Sequence, residues 1–457
     1  MHNASVLPPV LRRLQRAVYE SWSQVTEPRD VGALTGLAVL AAVVGGLTGL
    51  AAASFRVLLT DLSTRRGHVI SWAHHHWWGS LLVMLAAGAA TAAAAALVHR
   101  VEPHAEGSGI PRVESVVEGR AEPGRFRILP VKYLGGLLSM GAGLALGREG
   151  PSVQMGGNAG IIVARVARSS RQHLQILVAG GAAAGLATAF SAPIAGGVFV
   201  LEELVRRFDP KTTLATLIAS AAGFATAHLL IDDSNDFHTM AFKAPELRQA
   251  GWVILVGAAC GLLGVIYNAL VMRGLYLADT SRIPAEIRAG AIGVEIGAVA
   301  WFSPSLVGSG DNLTQDALLG KGTVAVALGI LAARILIGVV SYAALTPGGL
   351  FAPMLVLGSY TGLTIGLLAR HLDSHAPEAA GLALIGMAAF FTASVRAPVT
   401  GIVLASEMTG SVTLLAPTLG ACALAMFIAM ALRSEPIYDL LTTRSVNNAR
   451  ANRLEEG

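Results

Sequence analysis

Stretches in which nearly every position is apolar recur along the chain, among them Val31 to Leu59, Leu81 to Val98, Trp252 to Met272 and Val324 to Ala344. At a helical rise of about 1.5 Å per residue, each can cross roughly 30 Å of hydrocarbon. The pattern therefore predicts an all-α polytopic membrane protein. Other apolar stretches, such as Ile194 to Val200 and Leu382 to Phe391, are too short to span, and glycine or proline cuts others in half. A broken helix at bilayer depth is tolerated only where its exposed backbone is buried in protein or lines a cavity, so the breaks should mark a pathway.

Composition agrees: 53% of the 457 residues are apolar and 14% charged, which excludes an ordinary soluble domain. The cations gather at the ends, with Arg12, Arg13, Arg16 and Arg29 before the first apolar run and Arg433, Arg444, Arg450 and Arg453 after the last. The positive-inside rule then puts both termini in the cytoplasm, with an even number of complete crossings between them. Topology accounts for the net charge of +4, and no basic stripe suggests nucleic acid. Residues 1–31 lack the apolar core of a secretory signal and carry Pro8 and Pro9, so they read as a cytoplasmic amphipathic helix. The polar tail after Arg433 leaves no room for a regulatory domain. Cys260 and Cys422 lie in separate apolar runs and form no disulfide framework or thiol metal site. The run His74-His75-His76-Trp77-Trp78 suits an interfacial loop better than a metal site, since consecutive histidines do not share a helical face.

The chain also repeats its punctuation. Gly107-Ser108-Gly109 returns as Gly308-Ser309-Gly310, and the distance to the next motif's proline, Pro151 or Pro353, is kept to within one residue. Pro193 precedes Glu202 by the same interval as Pro398 precedes Glu407. Such self-similarity predicts two halves, 32–230 and 251–433, joined by a linker at 231–250 and followed by a last helix and tail at 434–457. As in many transporters, the repeats are expected to be inverted around the pathway.

The repeated motifs have a physical reading. In Gly107-Ser108-Gly109-Ile110-Pro111, in Gly147-Arg148-Glu149-Gly150-Pro151 and in Gly348-Gly349-Leu350-Phe351-Ala352-Pro353, a glycine-rich turn precedes a proline. Proline is best accommodated in the first turn of a helix, so each motif opens one. A helix start presents unpaired N–H groups and a positive dipole end, and glycine lets an ion approach closely. Three such ends converging at mid-membrane would bind an anion weakly enough to release it. For most of the 52 glycines close helix packing is the simpler reading.

In their order, and with Tyr438 near the C-terminus, these motifs resemble the CLC family of chloride channels and proton-chloride antiporters, in its prokaryotic form without C-terminal regulatory domains. The resemblance covers nearly the whole chain. It implies a bacterial plasma-membrane homodimer with a separate pore in each subunit, transporting chloride. It further implies that the hydroxyls of Ser108 and Tyr438 and the backbone N–H groups of Leu350 and Phe351 hold the anion, with Glu149 as gate. Relatives preferring nitrate tend to carry proline at the position of Ser108, and fluoride exporters depart from the motif, so chloride is the implied ion. Glu203 falls where antiporters pass protons in from the cytoplasm and channels generally have another residue. Proton-chloride exchange is thus the leading expectation and a passive, voltage-dependent chloride channel the alternative.

The carboxylates can be weighed independently. Burying one at membrane depth costs about 2.5–3.5 kcal/mol on insertion scales, so Glu149 needs a function or a partner. Arg148 is the adjacent candidate partner, yet neighbours at a helix start face different ways, and a carboxylate over a helix N-terminus mimics an anion. Protonation would neutralise and release it. Glu203 is the unpaired member of Glu202-Glu203, since only Glu202 has a repeat counterpart, and its simpler reading is a surface pair with Arg206 or Arg207. Lys132, Glu114, Glu118, Glu295, Arg334 and Arg396 are candidates for buried structural pairs. Neither HExxH nor a strand-to-helix GxSxG turn is present, so neither enzymatic activity nor a cofactor is expected.

Overall fold

The computed structural model describes residues 28–231, 236–239, 241–373 and 375–455. Among them the chain forms seventeen α-helices and no strand. The first half contains α1 (Pro28–Ala73), α2 (Gly79–Val101), α3 (Ile110–Val117), α4 (Ile128–Gly141), α5 (Glu149–Val166), α6 (Arg171–Phe190), α7 (Pro193–Phe199) and α8 (Pro210–Ala227). The second contains α9 (Ala250–Asp279), α10 (Ala285–Phe302), α11 (Asp311–Leu318), α12 (Val324–Tyr342), α13 (Phe351–Leu372), α14 (Ala379–Val395), α15 (Pro398–Thr409) and α16 (Leu415–Ala431), and α17 (Ile437–Glu455) follows. Each helix of the first half has a counterpart eight places later. Six segments are long and apolar enough to cross a bilayer, and the chain is a multi-pass membrane protein.

The pairing extends to local conformation. α3 and α11 are both capped by a left-handed glycine, Gly109 at φ 79° and Gly310 at φ 92°. α6 and α14 both end on a left-handed residue, Ser191 and Arg396, just before the Ala-Pro that opens the next helix. Glycine contacts give the relative directions of packed helices. Gly297 meets Met84 and Gly293 meets Ala87 and Gly88, so α2 and α10, counterparts of one another, run antiparallel. The halves are therefore inverted. In the same way Gly156 and Gly160 of α5 meet Gly181 and Leu177 of α6, while Gly358 and Gly362 of α13 meet Gly386 and Leu382 of α14. At these crossings a Cβ would lie within about 2–2.5 Å of a carbonyl oxygen, so only glycine permits the approach.

Burial separates core from rim: the apolar windows of α6 and α13 are 83% and 89% buried, whereas that of α12 is 28% buried. Leu382 to Phe391 is not an isolated short segment. It is the middle of the 17-residue α14, whose small flanking residues continue the helix because they too are buried. Ile194 to Val200 does belong to a short helix, α7, which passes into a π-turn over Val200–Leu204. The amphipathic helix expected at 1–31 falls mostly on 1–27, outside the described residues, and α1 runs straight through the expected boundary from Pro28.

Candidate anion and proton pathway

Each glycine-proline motif opens a helix: Ile110 begins α3, Glu149 begins α5 and Phe351 begins α13. The three turns before them are joined by backbone hydrogen bonds. Gly147 and Gly349 exchange N–H to carbonyl bonds of 2.8 Å in both directions, and the Gly348 N–H donates to the Gly107 carbonyl at 3.0 Å. A Cβ on Gly150 would lie 2.4 Å from Ser108 Oγ, and one on Gly349 would lie 3.1 Å from the Gly150 nitrogen. The glycines thus allow three helix N-termini to meet in one place.

Around this junction several buried polar atoms lack a protein hydrogen-bond partner among the described residues: Ser108 Oγ, Tyr438 Oη and Glu149 Oε1. Buried polar groups are rarely left unsatisfied, so their grouping identifies the junction as a site for a polar guest. Ser108 and Glu149 are 1% and 0% exposed and Tyr438 0%. Phe351, Phe199 and Tyr438 form an edge-on aromatic chain, with ring centroids 5.8 Å and 6.4 Å apart. The first N–H groups of α5 and α13 have no intrahelical acceptor. One of them, Ala352 N–H, donates to Glu149 Oε2 at 3.4 Å, so the carboxylate opening α5 lies over the N-terminus of α13.

Arg148 does not pair with Glu149. Its guanidinium turns the other way, to Asp311 at 3.0 Å, Asp236 at 3.6 Å and the Ala189 carbonyl at 3.0 Å. Asp236 also holds Arg56 at 2.6 Å. The expected linker therefore packs a charged network beside Glu149.

Two vestibules approach the junction. A cavity of about 160 Å³ is bordered by Gly107, Ser108, Gly109, Tyr342 and Arg444, and another of about 280 Å³ by Gly308, Ser309, Gly310, Arg66 and Arg148. They lie beyond the C-terminal ends of α2 and α10, which run antiparallel, so they open on opposite faces.

Lys132 and Arg334, candidates for buried ion pairs, bond instead to carbonyls. Lys132 Nζ reaches those of Ala105 (3.0 Å), Glu106 (3.4 Å) and Gly107 (2.7 Å), while Arg334 reaches Leu306 (3.0 Å), Gly308 (2.8 Å) and Ser309 (2.8 Å). Each cation holds its own GSG turn. Arg396 likewise bonds the carbonyls of Ala393 and Ser434. Glu114 and Glu118 both pair with Arg120.

Glu203 sits in the π-turn after α7, 4% exposed, with Arg206 Nη2 3.7 Å from its carboxylate. It pairs with Arg206, as the simpler reading has it, but from a buried position. Its neighbour Glu202 accepts N–H bonds from Val399 and Thr400 at the start of α15, and Glu407 accepts them from Ile194 and Ala195 at the start of α7. These crossed caps, foreshadowed by the matched spacing, tie the halves together. Sequence reasoning did not single out Tyr342, whose hydroxyl accepts the Ser108 N–H at 3.4 Å. A tyrosine in an apolar run carries no signal of that kind. His74 stacks on Trp301 at 3.8 Å.

Residues 87–430 match the family described as voltage gated chloride channel. The H(+)/Cl(-) exchange transporter ClcA of Salmonella typhimurium is 35% identical over 437 residues, spanning 92% of both chains. That of Vibrio cholerae serotype O1 is 36% identical over 360 residues, 77% of both. The crystal structure of a slow cyanobacterial Cl-/H+ antiporter superimposes with a TM-score of 0.86 at 30% identity, covering 90% of this chain and 98% of that one. A CLC-type fluoride/proton antiporter shares the fold, with a TM-score of 0.76 at 21% identity, 90% coverage of this chain and 98% of that one.

Proposed function

The chain belongs to the voltage gated chloride channel family, and from that premise we propose that it exchanges chloride for protons across a bacterial plasma membrane. The observation that carries this reading is the Glu149 carboxylate at the joined N-termini of α5 and α13, beside two orphaned hydroxyls. Ser108 and Tyr438 hold chloride through their hydroxyls, and the N–H groups of Leu350 and Phe351 complete the site. Chloride is the transported substrate, and the site needs no cofactor to hold it. No full positive charge faces the ion, so binding is weak enough for passage.

Ionised Glu149 and chloride compete for the same helix ends. Protonation removes the side chain's claim on those N–H groups, so its release and the anion's entry are linked to one proton. Glu203, buried in the π-turn, receives protons from the cytoplasm, onto which the vestibule of Ser108 opens. The vestibule of Ser309 opens outside. Both termini are cytoplasmic, and two copies form a homodimer in which each subunit has a complete path.

Flux tests the reading. Purified protein in lipid vesicles is given a chloride gradient with no pH difference, and proton movement is followed with a pH-sensitive dye. An exchanger drives protons against their gradient. Chloride movement without uphill proton movement would instead identify a passive channel.

A further inference from the structure

On the face reached by the Ser108 vestibule, one cation contacts Glu203 and the two elements that carry Ser108 and Tyr438. Arg206 follows the π-turn that holds Glu203. Its Nε donates to the Glu203 carbonyl at 3.1 Å, and its Nη2 lies 2.5 Å from Asp439 Oδ1, 3.5 Å from Glu114 Oε1 and 3.7 Å from Glu203 Oε1. Each carboxylate belongs to a different element. Glu114 is on α3, whose opening turn carries Ser108, and Asp439 is on α17 beside Tyr438. Arg120 shares Glu114, but among the described residues only Arg206 reaches the Glu203 carboxylate. Arg206 also sits at φ 54°, a left-handed conformation unfavourable for a side-chain-bearing residue, which the surrounding contacts must hold in place.

We infer that Arg206 is a positioning residue for proton exchange: its guanidinium holds the Glu203 carboxylate against the two elements that bear Ser108 and Tyr438. The inference rests on the exchange reading. Glu203 Oε1 has no hydrogen bond of its own, so the attraction of Arg206 is what orients it. Without that cation the buried carboxylate is free to adopt other rotamers, and proton delivery slows even though the anion hydroxyls remain. The Arg206 side chain is 43% exposed, so it stands between water and Glu203 instead of being sealed in with it.

The test compares proton and chloride flux in vesicles for Arg206→Gln, Arg206→Lys and Asp439→Asn, each in the wild-type background and with Glu149→Gln. Arg206→Gln is expected to lower proton flux by roughly tenfold, the scale of a partly screened charge pair. Chloride flux in the Glu149→Gln background should stay within about twofold, because Arg206 does not touch the anion's ligands. Arg206→Lys should recover part of the proton flux by restoring the charge, but not the bond to the Glu203 carbonyl. Should Arg206→Gln fail to fold, Asp439→Asn decides the matter, since it releases the guanidinium from α17 and should lower proton flux several-fold by the same route. An unchanged proton-to-chloride ratio would overturn the inference. So would a proportional loss of chloride flux in the Glu149→Gln background, which would make the role merely structural. Absence of proton pumping by the wild-type protein would strike the exchange reading itself, a result separate from either.

Discussion

Replacing Gly150 with alanine should damage chloride binding as well as stability. The new Cβ would fall 2.4 Å from Ser108 Oγ, 2.8 Å from the Ser108 carbonyl oxygen and 2.9 Å from its Cα. Apolar contact becomes comfortable only near about 3.5–4 Å, so the Ser108 turn must retreat by roughly 0.5–1 Å. It cannot retreat freely. The Gly107 carbonyl is held by Lys132 at 2.7 Å and by the Gly348 N–H at 3.0 Å, and Gln154 packs against Gly109. Overpacking of this kind costs about 1–3 kcal/mol, and the same displacement removes Ser108 from the anion, where a hydrogen bond to a charge contributes about 1.5–3 kcal/mol. Chloride affinity should therefore fall about 10- to 100-fold. Calorimetric titration of chloride into the purified protein measures this directly, with Gly329→Ala as the control because its Cβ would meet nothing within 4 Å. Chloride affinity within about twofold of wild type would refute the proposition that Gly150 exists to bring Ser108 to the site.

Glu149→Gln should preserve chloride flux and abolish proton coupling; coupling that survives intact would disqualify Glu149 as the gate. Glu203→Gln should uncouple protons while anion flux persists, measured in the same vesicles, and unchanged proton pumping would exclude a relay there. Lys132→Met and Arg334→Met should each lower thermal stability, by about 2–4 kcal/mol, since each strips charged hydrogen bonds from a buried turn. Only Lys132→Met should also weaken chloride binding by titration, because only its turn carries Ser108.

What the sequence made legible is what rests on local rules. Gly-Pro punctuation located the starts of α3, α5 and α13, because a glycine-rich turn followed by a first-turn proline has few other uses. Repeated spacing anticipated the inverted halves, down to the matched glutamates that prove to cap each other's helices. What remained hidden is long-range. Nothing near Arg148 indicates that it turns from Glu149 to Asp311 and Asp236, because those aspartates arrive from elsewhere in the chain. Lys132 and Arg334 looked like candidates for ion pairs because a buried cation is ordinarily paired with an anion, whereas here the partners are carbonyls of turns that leave them unsatisfied. The continuity of α14 was missed because small buried residues look the same whether they end a helix or let another approach it.

Superimposing the two halves on their punctuation separates scaffold from chemistry. The crossed glutamate caps, the cations holding the GSG turns and the left-handed caps at Gly109 and Gly310 occur in both halves, and each satisfies backbone groups that inversion would otherwise expose. Ser108 has its counterpart in Ser309, but the acids and the tyrosine proposed to act on ions lie where the halves disagree. Glu149 opens α5 where Phe351 opens α13, so one of two meeting helix ends carries an acid and the other a ring. Glu203 follows the capping Glu202 where Met408 follows Glu407, and Tyr438 comes from α17, which has no counterpart. A perfectly symmetric pair of inverted halves would present the same acid and the same hydroxyls to both faces, and no direction of coupling could be distinguished. Confining the proposed gate Glu149 and the proposed proton acceptor Glu203 to one half, with the tyrosine outside both, gives the pathway two different ends on a scaffold that is otherwise the same from either side.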